Sequence, residues 1–593
     1  MKKTGKKWMA LLMAFSMAAL TACGSSEKTV STQSSSQGST DPNCKYDTFI
    51  TIDLFCSQSN FQGIQSGWFA EYVKQKFNME LNIIAPNVAG GGDTLFQTRS
   101  AAGDLGDIVI AGTANGRLQD MVTAGLIQDM TPYMAGKENL NACMDAIETV
   151  NRSLVKEDGI WAIPSDISFQ TADTPSEGME PTFGTYLQWD VYKEIGSPKI
   201  KNLDDLLQVL KQMQDAHPTT EDGKPVYAIS LFKDWDASMM NNAKIIPCFY
   251  GYDEMGFVLA KADGSDYESV IDPDSMYSKA LEFFYKANQM GLVDPESTTQ
   301  NYDTIFTKYK QGQVLLSLWP WLGQSAYNTK EHTDAGKGFM YVPVEDMKIF
   351  SYGCYSRGDA RTVAMIGSKA EDPQRMADFI DWMYSPEGIS LIQAGINGSA
   401  GPQGLTWDQG ADGAPYLTDF GKEAFFQGDA QVPEEWGGGS WKNGISQLGY
   451  RTLHLTDTDP RTNEPYQYEL WDSVREELDT VTSREWREAY GAKDTMEYLK
   501  ENQMLLVAPG SPYVQPEEDS EITALRNQCK STIIDYSWQM VYAEDQETFD
   551  KLQKLMYDTA MGLGYDQVYA VDMKNAKDQQ AAREEALKAG TVK

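Results

Sequence analysis

Phe49-Ile50-Thr51-Ile52-Asp53-Leu54-Phe55 opens the stretch that decides the fold, and Gly106-Asp107-Ile108-Val109-Ile110 closes it. The first run is β-branched and aromatic and predicts a strand. Trp68 to Phe77 then sets Phe69, Tyr72, Val73, Lys76 and Phe77 at helical spacing, and Leu81-Asn82-Ile83-Ile84 predicts a second strand. After the turn at Gly90-Gly91-Gly92, Asp93 reads as the N-cap of another helix, and residues 106–110 read as a third, buried strand. This β-α-β-α-β order predicts an α/β fold with a mainly parallel sheet and helices on both faces.

Working outward, the motifs carry a resemblance. Ala102-Gly103-Asp104-Leu105-Gly106-Asp107-Ile108-Val109 is similar to the "GDxPD" step of the family 1 extracellular solute-binding proteins, with Gly106 in place of the usual Pro. Gly125-Leu126-Ile127-Gln128-Asp129-Met130-Thr131-Pro132 and Glu157-Asp158-Gly159-Ile160-Trp161-Ala162-Ile163-Pro164 resemble that family's next two segments. Leu187 to Gly196, Tyr309 to Trp319 and Asp372 to Gly388 continue the match in order, up to about residue 400. Two helices in this region carry readable starts, at Asn202 and at Asp372-Pro373. The resemblance implies a two-lobe, periplasmic-binding-protein-like fold of type II, with parallel-rich sheets flanked by helices and ligand held between the lobes. It implies a first lobe over 45–165 with 350–398 returning to it. The second lobe is expected over 166–349 with 399–593, the last part a helical C-terminal extension. From Lys574 onward the chain is Ala-, Lys- and Glu-rich and reads as a solvated helix or frayed tail.

The N-terminus supplies a separate reading. Lys2, Lys3, Lys6 and Lys7 precede an apolar run from Trp8 to Leu20, and a membrane-spanning helix needs roughly 20 apolar residues. The run is too short, and reads as a signal peptide over 1–22. Leu20-Thr21-Ala22-Cys23 resembles a bacterial lipobox, which makes Cys23 the lipidation site. Residues 23–44 are rich in Ser, Thr and Gln and read as a flexible tether, with a root-mean-square span of roughly 25 Å. The expected location is the extracellular face of the cell membrane, anchored by lipid.

The formal charge of −35 opposes phosphate and argues against a nucleic-acid partner. Seven cysteines (Cys23, Cys44, Cys56, Cys143, Cys248, Cys354 and Cys529) form no CxxC pair, and there are three histidines. A thiolate or histidine zinc site is therefore not expected. Disulfides among the six cysteines left after lipidation and buried free thiols both remain open. Residues 215–224 and 457–464 are acidic, but lack the alternating oxygen ligands of a calcium loop. No metal and no cofactor are expected.

Sugars expose C–H faces beside hydroxyl edges, so their sites combine aromatic rings with carboxylates, amides and cations. Trp319-Pro320-Trp321 follows a predicted strand and resembles the aromatic segment of maltose-binding proteins; at least one ring is expected to touch ligand. Trp235 and Asp236 follow the Val226 to Leu231 strand. Gln58, Asn60 and Asn115 follow the first and third strands, where open α/β sheets place their ligand loops. Tyr352, Tyr355 and Arg357 on the returning segment, and Trp441 beside Gly437-Gly438-Gly439, complete the candidates.

The resemblance implies a monomeric subunit that captures an oligosaccharide and passes it to the permease subunits of an ABC importer. The residues leave open the same fold binding a peptide, a polyamine or another solute, or presenting a ligand to a sensor. A surface glycoside hydrolase is the remote alternative; no Gly-x-Ser-x-Gly elbow, HExxH or phosphate loop is present, and the expectation is a non-enzyme.

Overall fold

The computed structural model describes residues 39, 41–42, 44–89, 92–394, 398–427 and 429–591. The signal peptide, Cys23 and most of the tether lie outside the described residues. No helix among those described is long and apolar enough to cross a membrane.

The first lobe is built on a six-stranded sheet. Its order is Gly63–Ile64, Met79–Ile84, Ile50–Cys56, Ile108–Gly112, Asp359–Ile366 and Ile163–Ser165. Ile50–Cys56 pairs parallel with Met79–Ile84 on one side and Ile108–Gly112 on the other. Asp359–Ile366 returns from far along the chain and inserts antiparallel between Ile108–Gly112 and Ile163–Ser165. The apolar runs reflect burial on both faces. Ile108 and Ile110 point into a core with the Gly67–Phe77 and Pro373–Met383 helices, while Val109 and Ala111 point to the opposite face, against Leu118, Met121 and Val150.

Gly106 is more than a tolerated exchange for Pro. Its φ is +111°, which Pro cannot adopt, and a Cβ there would lie 2.7 Å from the Asp53 carbonyl oxygen. The close approach lets the Asp107 N–H donate to that same oxygen at 2.7 Å and locks the third strand beside the first. The neighbouring helix begins at Asp93 itself, with Gly92 in the cap position, so Asp93 supplies first-turn charge rather than a side-chain cap. Asn202 and Asp372 do cap their helices, accepting from the N–H groups of Asp205 at 3.0 Å and Arg375 at 3.1 Å.

The second lobe surrounds an antiparallel sheet of Leu316–Ser317, Tyr186–Gln188 and Phe339–Tyr341. Its core takes in the Leu203–Ala216 and Met276–Gln289 helices. The long C-terminal helices Ser520–Val541, Gln546–Gly562 and the start of Tyr565–Ala589 join the same core through Ile533, Trp538, Met556 and Val568.

The segment from 399 to about 466, expected with the second lobe, packs into the first. Leu405, Val432, Trp441, Leu448, Tyr450, Leu453 and Tyr466 all lie in the first-lobe core. Their partners, Trp68 among them, are several hundred residues earlier in the chain, beyond the reach of local pattern. The Lys574 tail also differs from a fully solvated helix: Asn575, Ala576, Arg583 and Ala586 give Tyr565–Ala589 a buried face to its end.

Three segments run side by side between the cores. Ile167 N–H donates to Thr452 at 3.0 Å, Ser168 N–H to Tyr355 at 3.1 Å, and His454 N–H to Ile167 at 2.9 Å. Buried Asp457 binds this crossing, accepting from the Ser168 hydroxyl at 2.8 Å and the Phe169 N–H at 2.9 Å. The six cysteines among the described residues are free thiols, two in each of the two main cores, and burial pushes those of Cys56, Cys143 and Cys354 up to about 12.

Candidate functional site

Strand ends in both lobes carry the candidate groups. In the second lobe, Ser317 ends a strand and its hydroxyl ties the following turn, donating to the Trp319 carbonyl at 2.8 Å and accepting from the Gly323 N–H at 3.1 Å. Pro320 then starts the Pro320–Tyr327 helix at the position where a missing N–H costs nothing. This local geometry turns Trp319 inward, 4% exposed, and Trp321 outward, 36% exposed. The Trp235 loop brings a third indole against them, 42% exposed and 5.4 Å from Trp321 between ring centroids.

Tyr302 completes the surface. It stacks on Trp235 at 5.0 Å and 24°, and its N–H donates to Asp234 at 2.9 Å. Trp319 and Phe232 form the layer beneath, with Trp319 5.1 Å from Trp321 and Phe232 5.1 Å from Trp235 in an edge contact. Sequence reasoning missed Tyr302. Asn301 before it is a legible helix cap, accepting from Thr304 N–H at 3.0 Å, but nothing local tells which way the first residue faces.

Asp236 is committed inside the protein. It accepts from the Trp538 indole at 2.7 Å and from the Asn241 N–H at 2.8 Å, and burial raises its carboxyl above the usual range. Its part is to brace the Trp235 loop against the Ser520–Val541 helix.

The first lobe presents polar groups. Gln58, Asn60 and Asn115 are exposed beyond the first and third strands, and the Gln58 amide donates to the Thr362 hydroxyl at 3.4 Å. Asn115 is left-handed, φ 60°, a conformation that Asn tolerates. Arg361, also unforeseen, grips Asp359 through two nitrogens at 2.9 and 2.7 Å and donates to the Tyr355 hydroxyl at 2.7 Å. Tyr355 is thus half-buried with its hydroxyl engaged.

Three candidates turn out to be structural. Trp441 is 1% exposed and stacks on Trp68 at 4.8 Å and 5°, because its helix docks on Gly67–Phe77. Arg357 is 6% exposed; it pairs with Asp145 and donates to the Ala589 carbonyl at 2.9 Å, tying the last turn of the final helix to the first lobe. The Tyr352 ring packs against Phe183 and Phe350, and its hydroxyl donates to Asp253 at 3.3 Å.

The helix under Trp321 has an unusual support. Gln324, on its next turn, donates to Glu180 at 3.4 Å, and the Tyr186 hydroxyl donates to the same carboxyl at 3.1 Å. Desolvation by burial pushes the Glu180 carboxyl up to about 7, against the bonds that lower it.

A cavity of about 690 Å³ lies elsewhere, between Tyr46, Lys76, Lys137, Trp382 and Arg461 on the first lobe. Its charges neutralise one another: Lys137 pairs with Asp378 at 2.7 Å and Lys76 with Glu387 at 2.7 Å. Among the described residues no group of three or more His, Cys, Asp or Glu is placed to hold a metal ion.

Compared by sequence, the chain matches no family model and no curated protein. Its structure is similar to several solved ones. Alginate-binding protein AlgQ2, determined without calcium ion, aligns at 13% identity and a TM-score of 0.55, over 92% of this chain and 100% of that one. The S. pneumoniae ABC-transporter substrate-binding protein FusA, in complex with kestose, aligns at 14% and 0.56, over 90% and 99%. An HMO-binding, ABC-transporter-associated solute-binding protein from Bifidobacterium longum infantis aligns at 12% and 0.56, over 91% and 100%. The class is therefore defined by fold: this chain has the two-lobe architecture of the solute-binding proteins over nearly its whole length.

Proposed function

We propose that this chain is the solute-capturing subunit of an ABC importer and takes an oligosaccharide between its lobes. The observation that carries the reading is the aromatic surface of the second lobe, where exposed Trp235 and Trp321 meet the half-buried Tyr302. Two exposed indoles in tilted contact, one of them stacked on Tyr302, over a layer of Trp319 and Phe232 suit the C–H face of a pyranose or furanose ring, and they leave the hydroxyl edges to Gln58, Asn60, Asn115 and Arg361 across the fold. The three similar structures described as alginate-binding, kestose-bound and HMO-binding support a saccharide over a peptide or polyamine. In this reading the protein is a monomer, held on the outer face of the membrane by acylated Cys23, and delivers its cargo to permease subunits.

Thermal-shift screening against an oligosaccharide panel tests the ligand class. A ligand at about 100 times its Kd stabilises by about 2.7 kcal/mol, and a flat response across the panel rejects a sugar. Small-angle scattering with a hit should give a smaller radius of gyration, as the lobes close on it. Cys23→Ala should release the protein from washed membranes; retention would reject the lipid anchor.

A further inference from the structure

The loop that carries Trp235 has a second side. Against it lies a groove of about 410 Å³ lined by Lys233, Thr298, Asp535, Trp538, Gln539 and Tyr542. Its volume falls within the roughly 300–1,000 Å³ of small-molecule sites. One wall is the loop after residues 226–231, which make isolated bridges at Tyr227 and Ile229 instead of the expected strand, and the other is the Ser520–Val541 helix of the C-terminal region. The Trp538–Asp236 bond of 2.7 Å joins the two walls, so the aromatic surface and the groove are two sides of one braced loop.

We propose that this groove is a second saccharide subsite, taking the units of an oligosaccharide that run past Trp235. The proposal rests on the sugar-binding reading above and adds to it a preference for longer chains, built by the C-terminal helices. The lining carries the mixture that a sugar requires: an indole, hydroxyls, an amide and both signs of charge. The Lys233 ammonium lies 4.7 Å from the centre of the Trp538 ring, and neither it nor the Asp535 carboxylate forms a salt bridge among the described residues. That separates the groove from the larger first-lobe cavity, whose lysines and carboxylates are spent on each other. The Trp538 indole N–H is held by Asp236 and the Gln539 amide donates to the Asp535 carbonyl at 3.2 Å, which leaves the Lys233 ammonium and the Asp535 carboxylate to meet a ligand's hydroxyls.

The test is calorimetry with malto-, fructo- and manno-oligosaccharide ladders, from disaccharide to hexasaccharide. The wild type is compared with Asp535→Ala, Gln539→Ala and Lys233→Ala, all at exposed positions, and with Trp321→Ala. The wild type should bind the longer members of one ladder more tightly, and the groove variants should lose roughly tenfold for those members while holding the shortest binder nearly unchanged. Trp321→Ala should weaken every member alike. A wild type indifferent to length, or groove variants that keep its length preference, overturns the subsite while leaving the aromatic surface standing. No binding by any ladder overturns both readings.

Discussion

Two tryptophan pairs in this molecule look alike and are covered differently. Trp68 and Trp441 stack in the first lobe at 4.8 Å, and Trp235 and Trp321 meet in the second at 5.4 Å. The first pair is closed off. Phe420 and Phe425 set their rings against Trp441 in edge contacts at 5.9 and 5.7 Å, and a Cβ on Gly67 would come 2.4 Å from the Gly444 backbone. The second pair has an underlayer, Trp319 and Phe232, and its outer side is open. Stacking distance therefore says little about role. What covers the remaining ring faces decides whether an indole's apolar area is buried by folding or left for a ligand.

The largest effect should come from the closed pair. Trp441→Ala empties a well-packed core and is expected to cost about 3–5 kcal/mol, read as a lower denaturation midpoint with binding by the folded fraction intact. Trp319→Ala should fall between the two behaviours, costing about 3 kcal/mol of stability and also weakening sugar binding, because Trp321 loses its support. A Trp319 variant that binds normally would break the link drawn between layer and surface.

Trp235→Ala and Trp321→Ala test the open pair directly. Each should cost about 2 kcal/mol of binding, roughly a 30-fold loss of affinity, with an unfolding midpoint close to wild type. If either unfolds as readily as Trp441→Ala, the contrast between the pairs is wrong.

The smallest effect is a pH dependence under the open pair. Glu180 titrates at about 7 in the fold, above the 4.5 of a free glutamate, so the native state holds a proton that the unfolded chain releases. Its stabilising contribution is complete below pH 4.5 and is lost as pH rises from there to 7. Linkage sets a ceiling of about 3 kcal/mol, and relaxation around the carboxyl brings the expected loss to the order of 1 kcal/mol. Glu180→Gln should flatten that slope in melts between pH 5 and 8; an unchanged slope would place the titrating group elsewhere.

Much of the fold was legible. The first sheet is announced by its β-α-β-α-β pattern, and the helix starts at Asn202 and Asp372 by cap chemistry, since strand period and capping act over a few residues. The site was legible in part. Trp321 and Trp235 were singled out from their position after predicted strands, and the structure sets them at the surface of the second lobe, whereas Tyr302 and Arg361 carried no signal. Arg357 was drawn in by its place on the returning segment and Trp441 by the glycines beside it, and both are buried inside the protein.

By itself the sequence determined the α/β class, three strands of the first sheet with the helices between them, the buried character of those strands and the aromatic segment after the Leu316–Ser317 strand. Tertiary structure alone decided that residues 399–466 close the first core, that Arg357 anchors the end of the last helix, and which of the two indole pairs meets water. The reason is range. Propensity, period and caps are set between near neighbours, but the Trp68 indole reaches the Trp441 carbonyl, at 3.4 Å, across 373 residues of chain. Whether a ring is covered depends on such distant partners, and only the folded chain brings them together.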